Sequence, residues 1–530
     1  MEKSYFKYIF VIVVIALVAY TGYKIIKENK ETDDANLDQT STVSTIQKDL
    51  RLAIAEMDTI NPILSKNRNV QEISKIIFEP LITLNENYKK EYRLAEEVAK
   101  QDDLNYLVKL RQDVVWHDNM PFTANDVKFT VDTIKNGGIS SIYSENLRYV
   151  TSLEVIDNYT IKFTLSQEVP FFEYYLTFPI ISQKYYEGTD VQNVDKNVAP
   201  VGTGLFKIVS VNANVITLAR NDAYWDQSRK PMAEEIILTN YQTMGEVYNA
   251  FKSGDIDIVT VTASNVEEYI GTIGYNKIEY KARNYDFLTL NTASNIFSDK
   301  EVRKALSYCI DKENVRATCL GNGYTVSNFS LDMGNWLYTR DLNVETNTEQ
   351  AKAILEADGW SYRNNRWQKR IDGQNSRLSF TITVNSDNEG RLKAAQNIAE
   401  QLNNFGMEVS VRELSSDRYY DALNNRNYDC IITGIETGFS PNLETFFGAG
   451  NIANYNNEEL QNILQSVKNV QDEAEMHNYY SRIFDIYLEE VPYIGLYRNT
   501  ESIICNQGLV GNITPNTFNI YHNIEKWYRQ

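Results

Sequence analysis

Residues able to do nucleophilic, acid–base or metal chemistry are sparse in this chain. Three histidines (His117, His477, His522) and four cysteines (Cys309, Cys319, Cys430, Cys505) are scattered through 530 residues. None has the close spacing of a zinc site or a Cys-x-x-Cys redox pair. There is no G-x-S-x-G elbow, no H-E-x-x-H helix and no P-loop, and Gly202-Thr203-Gly204 is too short to cradle a dinucleotide. No metal, no cofactor and no enzymatic step are therefore expected. In an exported protein four cysteines permit disulfides, but buried free thiols on strand and helix faces are the expected state.

The elements that would carry a site are mixed. Residues 107–110 read as a short strand, Asp118-Asn119 as a turn, and Thr123 as the cap of a helix opened by Asp126, Val127, Phe129 and Val131. Hairpins are expected at 153–165, around Asp157-Asn158, and at 206–218, around Asn212-Ala213-Asn214. Leu392, Ala395, Ile398, Leu402 and Phe405 mark one helical face, Gly406 ends it, and Val409 and Val411 alternate into a strand. Residues 351–357 repeat this pattern with Gly359 as the stop. The stretch 460–486 spaces its apolar residues as two amphipathic helices before the Val491-Pro492 break. Alternating helix and strand with hairpins means α/β lobes built on mixed sheets.

Composition narrows the class. The chain is 43% hydrophobic with only 10 prolines, so it is globular, with length for about two to four domain-sized cores. A net charge of −19 argues against a nucleic-acid partner, which needs a basic stripe. At the N-terminus Lys3 and Lys7 precede an uncharged apolar run, 8–23, and Lys24, Lys27 and Lys30 follow it. No small-residue cleavage site and no nearby Cys for lipid attachment accompany the run, so it reads as an uncleaved signal anchor over residues 1–27. Residues 28–47, polar and rich in Asp, Asn and Thr, read as a flexible tether.

The most informative stretch is Leu110-Arg111-Gln112-Asp113-Val114-Val115-Trp116-His117-Asp118-Asn119-Met120-Pro121-Phe122-Thr123-Ala124-Asn125-Asp126-Val127. It resembles the "LR-x-DV-x-WHDG-x-PFTA-x-DV" signature of the extracellular solute-binding protein family 5, the oligopeptide, dipeptide and nickel binders of ABC importers. Asn119 stands where the family usually has Gly, and Asn tolerates a positive φ. Further segments follow in family order: Glu79-Pro80-Leu81, then Pro200-Val201-Gly202-Thr203-Gly204-Leu205-Phe206-Lys207, Ser253-Gly254-Asp255-Ile256-Asp257, Leu290-Asn291, Val302-Arg303-Lys304-Ala305-Leu306, Tyr428-Asp429 and Val491-Pro492-Tyr493. The resemblance covers roughly residues 48–530.

The resemblance implies a periplasmic-binding-protein-like type II (class C) two-lobe α/β fold with an inserted extra domain. The first lobe would be assembled from 48–82, 199–283 and 494–530, the inserted domain from 83–198, and the second lobe from 284–493. Trp116, His117, Asp118, Pro121, Phe122, Gly202 and Gly204 would be structural. Ligand would lie between the lobes, with the strands at 283–290 and 493–497 as hinge. The cargo would be a peptide or another small solute, an oligosaccharide or a chelated metal such as nickel being alternatives. Partners would be ABC permease subunits with their ATPases, or, if the fold serves as a tethered sensor or scaffold, none of these. A monomer anchored in the cell membrane, body outside, is expected. The family's peptide binders place an Asp after the "YD" segment to pair with a ligand's α-amino group. Here Gly438 occupies that position and Glu436 is the nearby carboxylate, either a replacement ammonium partner or an exposed loop residue. The expected ligand-facing set is Phe287, Asn291, Glu436, Thr437, Gly438, Tyr493 and Tyr497.

Overall fold

A computed structural model describes residues 49–261, 274–371 and 373–530. The expected anchor and tether lie outside the described residues. Among those described, no helix is long and apolar enough to cross a membrane.

Two strands organise the molecule. Tyr275–Leu290 and Tyr493–Asn506 run antiparallel inside a seven-stranded sheet. Each is far longer than the usual ~5–6 residues of a strand, long enough to serve two cores in succession. Their register runs from Tyr275 opposite Asn506 to Lys281 opposite Thr500, breaks, and resumes at Tyr285 opposite Arg498. Before the break Tyr280, Ile503 and Cys505 enter a core shared with Leu50, Ile63 and Ile236. Beyond it successive side chains serve opposite faces of the sheet. Leu288, Leu290, Ile494 and Leu496 pack with Ile382, Ile398 and Ile432, while Tyr285, Phe287 and Tyr493 pack with Phe446, Tyr480 and Phe484. The chain is thus a mixed α/β protein of two lobes joined by one strand pair.

The first lobe carries a four-stranded sheet ordered Asp49–Ala55, Glu235–Tyr241, Val215–Arg220, Phe206–Asn212. The inserted region supplies another, ordered Ala95–Lys100, Asn105–Leu110, Thr160–Leu165, Val150–Asp157. Val108, Trp116 and Phe163 of the insert belong to the same buried cluster as Leu52 and Ile236. The insert is therefore fused to the first lobe, without a core of its own. In the second lobe Ser379–Asn385 pairs in parallel with Glu408–Leu414 and with Cys430–Glu436, and helix Glu389–Asn404 makes the crossover. Ile494, Leu496 and Tyr497 pack with Leu288 and Ile382, on the far side of the ladder break from Ile503 and Cys505.

Local chemistry explains the element ends. Thr123 begins helix Ala124–Asn136 and Asp126 completes a capping box with it. Ala395, Ile398 and Leu402 are buried on the inner face of Glu389–Asn404, and Gly406 leaves at φ 95°, where a side chain would be strained. Helices Glu458–Ser466 and Glu473–Glu490 form the expected tandem before Pro492. All four cysteines are free, with Cys309 and Cys430 buried in the second lobe and Cys505 in the first.

Candidate functional site

The motif residues build a joint. Trp116 is buried, and its indole N–H donates to Asp126 Oδ2 at 3.3 Å, the oxygen that also accepts from Thr123 N at 2.9 Å. His117 N donates to Gly202 O at 2.9 Å, and Gly202 N donates back to His117 Nδ1 at 3.1 Å. Because Nδ1 accepts, the ring proton belongs on Nε2, which faces Gly204 O at 3.1 Å. Burial holds this imidazole down at about 4, against 6.5 for a free one, with the Gly204 carbonyl pulling weakly the other way. Asp118 accepts from Met120 N at 3.1 Å in a turn that Asn119 completes at φ 66°. Pro121 bridges back to Val115 and Phe122 is fully buried. A Cβ on Gly202 would lie 1.9 Å from Ile77 O, and one on Gly204 2.6 Å from Ile76 O. These residues weld the insert to the first lobe, and of them only Gly204 reaches the cleft described next.

That cleft, of about 700 Å³, opens beside the break in the long strand pair. Helix Arg68–Ser74, started by Asn67 accepting from Asn69 N and Val70 N, presents Arg68, Gln71 and Glu72 to it. Phe78, Glu79, Thr83 and Leu84 form part of its floor, and Thr517 and Phe518 come from the far end of the chain. Ala282, Arg283 and Asn284, the residues at the break, line it too. The second lobe adds Glu436 and Phe439. The Phe518 ring sits edge-on to Tyr88 at 4.7 Å and to Phe439 at 5.3 Å, so aromatic contacts connect the two lobes across the cleft mouth.

Charged groups in the cleft are tied to one another. Arg283 pairs with Glu436 and lies 4.5 Å over the Phe439 ring. Arg68 pairs with Glu501, whose carboxylate also accepts from Tyr280 Oη at 2.8 Å. Glu79 is buried without a basic side chain in contact. It accepts from Tyr224 Oη at 2.6 Å and Trp225 Nε1 at 3.1 Å, and burial pushes its carboxyl above the usual range. Among the described residues, no group of three or more His, Cys, Asp and Glu could hold a metal ion.

The expected ligand-facing residues separate. Glu436 lines the cleft with its side chain 58% exposed. Thr437 sits beside it, its N and Oγ1 donating to Arg283 O at 2.9 and 3.0 Å. Gly438 is exposed, with no atom closer than Ser440 N at 4.0 Å from an added Cβ. The other four do not line the cleft. Phe287 and Tyr493 are core, because residue parity along their strands turns both toward Phe446. Tyr497 faces the opposite core. Asn291 is buried as a loop clamp, donating to Tyr428 O at 2.8 Å. Phe439 and Phe518 also line the cleft without standing in the expected set, and Arg283, expected only as part of the hinge, lines it too. Each gains its role from a contact across the lobes or between strands, which leaves no local pattern.

The two-lobe fold with a cleft at its strand crossing is that of a solute-binding protein. Residues 90–456 match the family model of bacterial extracellular solute-binding proteins, family 5, middle region, and the chain belongs to this family. It is 24% identical over 495 residues to the oligopeptide-binding protein AppA of Bacillus subtilis, covering 90% of each chain. The solved structure of AppA from Bacillus subtilis with a nonapeptide superposes with a TM-score of 0.57 at 23% identity, covering 92% of this chain and 100% of that one. A nickel ABC transporter structure from Bacillus halodurans gives a TM-score of 0.74 at 22% identity, covering 88% and 97%. At these identities the solved structures speak for the fold alone.

Proposed function

We propose that this chain is the receptor of an ABC importer that captures a peptide between its lobes, closes over it and delivers it to the permease. The observation that carries the reading is the cleft placed beside an interrupted ladder. Ala282, Arg283 and Asn284 lack the pairing with the partner strand that stiffens the flanking segments, so rotation there moves one lobe against the other without unpacking either core. Kinship with oligopeptide-binding proteins favours peptide cargo over the alternatives. The work is a conformational equilibrium biased by ligand, with no covalent step. The ligand-facing set is Arg283, Glu436, Thr437, Gly438 and Phe439 from hinge and second lobe, with the lobes divided near 283 and between 498 and 501. Small-angle scattering checks the motion. Saturation with a mixed hexapeptide pool is expected to reduce the radius of gyration, and an unchanged radius at saturation would favour a scaffold that does not close.

In this reading the apolar segment 8–23 stays attached and holds a monomeric body outside the membrane through the tether at 28–47. The support is the run's composition together with a family of extracellular proteins. The protein is then expected to sediment with membranes after cell lysis. A mature N-terminus beyond Tyr23 recovered from culture medium would defeat the anchor.

A further inference from the structure

We propose that the cleft accepts peptides without reading the charge of either terminus, so that free and end-blocked peptides are equivalent cargo. This rests on the peptide reading above and narrows it.

The argument begins with the pairing of the cleft's own charges. Arg68 is held by Glu501, Lys75 by Glu72 at 2.8 Å, Arg93 by Glu91 at 3.2 Å, Arg229 by Glu525 at 3.2 Å, and Arg283 by Glu436. In every pair both partners sit on the same side of the cleft or at the hinge, so each pair forms without any contact across the cleft. Two charged groups remain. Lys66 is at the exposed rim, and Glu79 is buried, with Tyr224 and Trp225 donating to its two oxygens.

A ligand ammonium approaching Glu436 therefore meets a carboxylate whose charge a guanidinium at Oε1 already balances. That guanidinium is fixed from the other side by the Phe439 ring. A ligand carboxylate approaching Arg283 meets the mirror obstacle. An ion pair adds affinity only when it replaces hydration of a free charge; exchanging one partner for another of equal charge returns little. What the cleft adds is neutral hydrogen-bonding side chains, Thr83 and Asn284 together with Asn146, Thr177 and Asn516, which spend part of their capacity within the protein, and these match the donor and acceptor that each peptide unit carries.

The protein is incubated with two hexapeptide pools of the same random sequence mixture, one with free termini and one N-acetylated and C-amidated. Retained peptide is quantified by native mass spectrometry at about 50 and 500 mM NaCl, where screening lengths differ severalfold. Retention of the pools is expected to agree within about threefold, and to change little with salt. In Arg283→Gln, which frees Glu436 yet keeps the backbone carbonyl that Thr437 uses, the free pool should gain a preference of about tenfold or more. A wild-type preference of that size for free termini overturns the inference and leaves the peptide reading standing. Retention of neither pool overturns the peptide reading, and the inference with it. Equal retention by wild type supports the inference whether or not the variant folds; a folded variant that still shows no preference overturns the role given to the Arg283–Glu436 pair.

Discussion

Phe287→Ala is expected to destabilise the protein by about 3–5 kcal/mol, while a folded sample retains its normal affinity for cargo. The ring is fully buried. It stacks on Tyr285 at 5.1 Å with planes 18° apart, and meets Phe446 at 5.3 Å and Tyr493 at 5.6 Å. Truncation removes a large apolar surface from a site whose neighbours are anchored elsewhere. Tyr493 Oη donates to Phe446 O at 2.8 Å and cannot follow the collapse. The cavity therefore stays open, which is the costly case. Denaturant unfolding measures the loss, and peptide retention by the native fraction measures affinity. A stable variant with impaired binding would return this ring to the ligand.

Gly202→Ala is expected to cost about 3 kcal/mol or more, through overpacking against rigid backbone. The new methyl would meet Ile77 O and C at 1.9 and 2.7 Å, and neither atom is the free end of a side chain. Relief requires the loop to back away. Doing so breaks the exchange of hydrogen bonds between Gly202 and His117, and the bond from Gly204 N to Ile77 O at 2.9 Å. Thermal unfolding should show the loss, and limited proteolysis should open the junction at 199–205 before the second lobe is touched. A variant with wild-type stability would mean that the insert is held mainly by its shared core.

Much of the frame was legible because its signals are local. Thr123 with Asp126, Asn119 at its turn, and the run from Leu392 to Gly406 each carry their instruction within a few residues. The long strands were harder. Residues 277–283 alternate polar with apolar because one face meets water, while 285–290 are nearly all buried because the sheet is covered on both faces. Nothing in the string marks where one lobe hands over to the other. The small sheet of Ser361–Arg363, Arg366–Ile371 and Gln374–Arg377 was missed because its charged strands lack the apolar alternation that reveals a strand. The ligand-facing set suffered most. Parity along a strand decides between core and cleft, so Phe287 and Tyr493 followed the core, whereas Arg283 meets Glu436 across 153 residues of sequence.

The first lobe is stitched together from opposite ends of the sequence. Arg529 contacts Asp49 at 3.1 Å and Asp257 at 3.0 Å, and Trp527, with no exposed surface, shares a core with Leu50 and Ile63. Synthesis therefore delivers the opening strand of this lobe long before the residues that seal it. During translation the early segments must wait with apolar surface uncovered, a topology of high contact order that folds slowly. The lobe therefore stays pliable until the strand Tyr528–Arg529 reaches Asp49 and Asp257, and only then locks shut.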